Sequence, residues 1–169
     1  MSDEFDVLMD AKPLILPEPP ADFGEVVTIA LNQVKDGIVK GTIEQLLLTF
    51  CGTEVRGWLF QGKPPGTMDE ILRHLADRTQ CDALAWVHTH PVPEGIPADR
   101  TVSVAIEARD GALDFLFALK GVHGEPGATF QIFEAPTPPK RRWWGQKSKL
   151  KVELVRKSAG FGSPITGEA

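Results

Sequence analysis

Asp82-Ala83-Leu84-Ala85-Trp86-Val87-His88-Thr89-His90-Pro91 is an apolar run that ends in two histidines and is stopped by proline. Side chains alternate faces along a strand, so Leu84, Trp86, His88 and His90 share one side while Ala83, Ala85 and Val87 take the other. At the usual strand rise the two histidine Cα atoms stand ~6.5–7 Å apart. Both rings can then reach one ion at the ~2.0–2.1 Å of a Zn–N bond. Two of the chain's four histidines fall here, at a strand end, where function tends to gather.

Working outward, the residues before this strand read as a helix. Lys63-Pro64-Pro65-Gly66 is a loop, Thr67 with Glu70 forms a capping box, and Met68, Ile71, Leu72 and Leu75 make one apolar face running to about Thr79. His74 lies beside that face and reads as structural. Thr53 to Gly62 is strand-like, with Glu54 where the chain turns into it. Thr42 to Phe50 reads as a short helix, on a Thr42/Gln45 capping box, apolar positions Ile43, Leu46, Leu47 and Phe50, and a Cys51-Gly52 stop. A strand is the alternative there, since Leu46-Leu47-Leu48 suits one. From Gly24 to Gln33 the pattern reads as a strand, followed by a Lys35-Asp36-Gly37 turn.

After the histidines, Pro91 to Asp99 is a stiff proline loop able to hold a carboxylate near the imidazoles. Thr101–Ala108 and Leu113–Leu119 form a hairpin about Asp110-Gly111, and Ala128–Glu134 is a further strand. The fold class is therefore α/β in the α+β sense: a mixed β-sheet flanked by two helices.

The ends differ from this core. Residues 1–22 form an acidic, proline-rich arm, whose Leu14-Ile15-Leu16 can dock on an edge or lie on the chain's own core. Residues 23–135 are the core domain, 136–157 a basic tryptophan-containing segment that reads as a terminal strand, and 158–169 a glycine-containing tail. The 169 residues carry enough apolar material for one core. A net charge of -5 argues against wholesale nucleic-acid binding. The cationic stretch Lys140 to Lys157, with Trp143 and Trp144, nevertheless leaves contact with nucleic acid or an anionic membrane open. Two cysteines are too few for a disulfide framework, and no apolar run approaches the ~20 residues that span a bilayer. The acidic start is unlike a signal peptide, so a cytoplasmic, reducing setting is the simplest expectation.

The order helix, Glu54, strand, helix, then a strand ending His88-Thr89-His90-Pro91 resembles the JAB/MPN, or JAMM, metallopeptidase family. Glu54-Val55-Arg56-Gly57-Trp58-Leu59 matches its Glu-Val-x-Gly-x-Leu strand, and His88-Thr89-His90-Pro91 its His-x-His-Pro motif. The resemblance covers roughly Thr42 to Leu119 and implies a layered MPN/cytidine-deaminase-like domain. It also implies a Zn²⁺ ion held by His88 and His90, with Glu54 as general base. The implied activity is cleavage of peptide or isopeptide amides in a peptide or protein substrate, often one that is ubiquitin-like. The family's later serine and aspartate fall at Ala98 and Thr101, which cannot replace them. Asp99 is the nearest substitute as third metal ligand, and Glu94 the next.

Two functions follow from that departure. One is a zinc-dependent peptidase or isopeptidase with Asp99 as third ligand; the other is a non-catalytic MPN-like scaffold that docks with partners in a larger assembly. A third class, the cupin metal site, shares His88, His90 and Glu94, but lacks the bracketing glycines and fits poorly with a helix directly before the strand.

Overall fold

The computed structural model describes residues 6–7, 14–40, 46–58, 60–61, 67–109, 111–121, 128–136, 140 and 142–144. In chain order its elements are β1 (Asp6–Val7), β2 (Leu14–Ile15), α1 (Phe23–Lys40), β3 (Leu46–Cys51), β4 (Glu54–Trp58), β5 (Phe60–Gln61), α2 (Met68–Thr79), β6 (Ala83–His90), β7 (Arg100–Ala108), β8 (Gly111–Lys120) and β9 (Thr129–Glu134). The main sheet has seven strands in the order β2-β4-β3-β6-β7-β8-β9, and every described pairing in it is antiparallel. The expected mixed sheet is corrected to an antiparallel one. β1 and β5 form a separate two-stranded pair.

Two apolar clusters show how the helices cover this sheet. α1 packs Val26, Ala30, Val34 and Ile38 against Leu48, Phe50, Ala85, Val87, Val104, Ile106 and Phe117. α2 packs Ile71, Leu72, Leu75 and Ala76 against Leu47, Leu84, Ala105 and Trp143. Leu47 and Leu48, like Leu84 and Ala85, are chain neighbours that fall in different clusters, so α1 and α2 lie on opposite faces. The result is a helix–sheet–helix sandwich.

Two elements differ from expectation. Gly24 to Gln33 is not a strand but the first half of α1. Buried positions Val26, Ala30, Gln33, Val34, Gly37 and Ile38 follow a helical stripe. The alternation read there had apolar residues on both sides and so carried no strand contrast. The signal that decides it is Asp22, whose carboxylate accepts from the Glu25 N–H at 2.9 Å, while the Glu25 carboxylate accepts from the Ala21 N–H at 2.7 Å.

The expected helix over Thr42–Phe50 is likewise corrected where it is described: Leu46–Cys51 is β3, and residues 42–45 lie outside the described residues. β3 is an inner strand between β4 and β6 with a helix over each face, so Leu46 through Phe50 are all buried. A run apolar at every position satisfies helical spacing by default. Gly52, read as a helix stop, instead sits at φ 60° in the turn joining β3 to β4.

The expected Lys35-Asp36-Gly37 turn is also corrected, since α1 runs through it to Lys40, and the strand read over Thr53 to Gly62 divides into β4 and β5, which pair in different sheets. Thr67 caps α2, its side-chain oxygen accepting from the Glu70 N–H at 3.2 Å, and β6, the β7–β8 hairpin and β9 form close to their expected bounds. Leu14–Ile15 of the arm pairs with β4 at the sheet edge, and Leu16 is buried behind it. The terminal strand read within 136–157 and the tail 158–169 lie outside the described residues, apart from residues 136, 140 and 142–144.

Candidate functional site

The strand parity of β6 places Leu84, Trp86, His88 and His90 on the α2 face, and the rings bear this out. Trp86 and His88 have ring centres 5.5 Å apart, and His88 and His90 have centres 6.3 Å apart with planes tilted by 44°. α2 covers the Leu84 end of this face. His88 is half-buried and His90 exposed beyond it, with Ser103 opposite His88 and Thr101 opposite His90 on β7. The Thr101 hydroxyl donates to the His90 carbonyl oxygen at 2.6 Å, fixing the end of β6 against β7.

Each imidazole is oriented by its own backbone. His88 Nδ1 lies 2.9 Å from the Thr89 carbonyl oxygen, and His90 Nδ1 lies 2.6 Å from that of Pro91. A carbonyl oxygen only accepts, so each contact is a hydrogen bond in the tautomer that carries its proton on Nδ1, and in that tautomer Nε2 is the nitrogen open to a ligand. A ring centre sits about 3.2 Å from an ion bound through Nε2, so two rings on one tetrahedral zinc need centres about 5 Å apart. The observed separation is wider by about an ångström, so an ion held by both rings would need them turned from these positions. The pair fits half of a metal site.

The rest of the expected set is not brought to it. β4 is antiparallel to β3 and β3 is antiparallel to β6, so β4 runs in the direction of β6. Glu54 opens β4 opposite Cys51, level with Asp82, whose N–H donates to the Phe50 carbonyl and whose carboxylate accepts from the Gly52 N–H. His88 is six residues further along β6, about 20 Å at the strand rise, and two strands across. Glu54 shares a face with the histidines but stands at the other end of the sheet, in an ion pair with Arg56.

Asp99 is exposed, and its Oδ2 accepts from the Gly121 N–H at 3.0 Å while its own N–H donates to the Leu119 carbonyl. It is thus committed to the β8 side of β7, away from β6. Glu94 is exposed in the turn made with Gly95. Among the described residues no three His, Cys, Asp or Glu side chains come together as a metal group. The described residues therefore do not complete the zinc-peptidase set.

A second polar constellation on the α2 face went unread in the sequence. Glu107, fully buried on β7, accepts from the backbone N–H groups of Arg142, Trp143 and Trp144 at 2.7, 2.9 and 2.8 Å. A carboxylate within the apolar run Val104-Ala105-Ile106-Glu107-Ala108 was the available signal, because a buried charge demands donors. Among the described residues, no helix is long and apolar enough to cross a membrane. Comparison with protein-family models, curated proteins and solved structures gives no match.

Proposed function

We propose that this chain is a non-catalytic MPN-like module that acts by docking in a larger assembly, its histidine pair no longer part of a peptidase centre. One observation carries the reading: the acid at Glu54 stands about 20 Å along the sheet from His88, too far for a proton transfer that needs hydrogen-bond reach. The commitment of Asp99 to Gly121 supports it.

A second reading, a zinc-dependent peptidase or isopeptidase acting on a protein or ubiquitin-like amide, is favoured by the two Nδ1 atoms held on carbonyls with both Nε2 atoms presented. That reading needs Glu54 as general base and Asp99 as third ligand, and both would have to move to the histidines from where they stand.

Zinc titration with amide hydrolysis as readout separates the two. The docking reading expects zinc-saturated protein to leave peptide and ubiquitin-like isopeptide amides uncut. Cleavage by the wild-type chain that is lost in His88→Ala and in Glu54→Gln would overturn it in favour of the enzyme.

A further inference from the structure

The residues that hold Arg142-Trp143-Trp144 come from three separate elements. Glu107 of β7 takes the three consecutive N–H groups. The Trp143 ring is buried, 2% exposed, among Ile71, Leu72, Leu75 and Leu84, and its indole N–H donates to Asp69 of α2 at 3.2 Å. Arg142 lies over the Trp143 ring at 5.0 Å and donates to Asp114 of β8 at 2.6 Å. The Arg142 carbonyl in turn accepts from Arg73 of α2 at 2.8 Å.

From these contacts we propose that the cleft between α2 and the sheet is a recognition site for a basic, tryptophan-bearing chain segment, and that Arg142–Trp144 occupies it as a ligand supplied in cis. The mode of holding distinguishes it from ordinary core. An apolar side chain at position 107 would suffice to fill space; instead a buried carboxylate is matched to main-chain donors, as a receptor matches a peptide backbone. Charge agrees. Arg142 is paired with Asp114, Asp69 and Glu107 accept N–H groups of the same stretch, and its sequence adds Lys140, Arg141 and Lys147 in a chain of net charge -5. A tethered ligand competes at an effective concentration of order millimolar, so the cis segment excludes the same segment of a second copy at ordinary protein concentration. That second copy is the partner the cleft fits once its own segment is displaced. The inference makes no use of the histidines and stands apart from the docking reading above.

The test uses the full chain and a labelled peptide of sequence 138–147, followed by fluorescence polarisation. Trp143→Ala, with its own segment weakened, is expected to bind the peptide at least tenfold more tightly than wild type. Glu107→Gln added to Trp143→Ala is expected to lose that gain, as is a peptide whose first tryptophan is alanine. Trp143→Phe, which keeps a ring in the cleft and guards against a variant that does not fold, is expected to fall between. Equal binding by wild type and the Trp143 variants, no binding by any, or collapse of both Trp143 variants to an unfolded chain would overturn the proposal, since the segment would then be fixed core.

Discussion

The α2 face of the sheet has two ends, and they spend their polar groups in opposite ways. At the α2-covered end, Glu107, Asp69 and Asp114 are all engaged by Arg142–Trp144, and the anchoring tryptophan is buried. At the other end His88 and His90 stand half-buried to exposed, each ring turned on its own backbone with one nitrogen left for something else. The contrast teaches that acids on the same face as a histidine pair need not belong to it. Here they hold the chain to itself.

That contrast can be broken in graded steps. Trp143→Ala removes the largest side chain of the covered end and is expected to cost ~3–5 kcal/mol, read as a fall in the denaturant midpoint. Glu107→Gln keeps the shape but sets an amide N–H₂ against backbone donors, for a loss of ~1–3 kcal/mol in the same measurement. Thr67→Ala removes the cap of the helix that roofs this end and should cost ~1 kcal/mol in thermal unfolding. His88→Ala and His90→Ala sit at the open end, so stability should stay within ~0.5 kcal/mol. Calorimetric titration of the wild type with a divalent transition metal checks the pair directly: heat present there and lost in both variants would assign an ion to these two rings. A histidine variant as destabilising as Glu107→Gln would erase the distinction between the two ends.

Much of this fold is legible in the residues, and the misreadings share one cause. α2 announces itself through Thr67, Glu70 and a one-sided apolar face, and β6 through alternation that ends in polar residues. α1 and β3 were misread because periodicity needs polar positions to contrast with apolar ones. Val26 to Leu31 and Leu46 to Leu48 offer too few. The side-by-side histidines follow from parity within one strand and need nothing else. The position of Glu54 does not: it depends on β3 lying between β4 and β6, a fact of strand order that pairing across the sheet decides. Glu107 lay in plain view, but its partners arrive 35 to 37 residues later in the chain.

The strand order also bears on how the molecule is made. β6, β7, β8 and β9 are each bonded to the next in sequence, and β3 closes a hairpin with β4, but the other edge of β3 must wait for residues on the far side of α2, Leu46 meeting Val87. Local hairpins close sooner than distant pairings. During synthesis Leu46-Leu47-Leu48-Thr49-Phe50 therefore gains its β4 neighbour at once but leaves the ribosome some forty residues before its second neighbour, β6, exists. A nascent chain halted in that interval holds this charge-free β-former with one edge unpaired, the edge a stalled chain would offer to self-association.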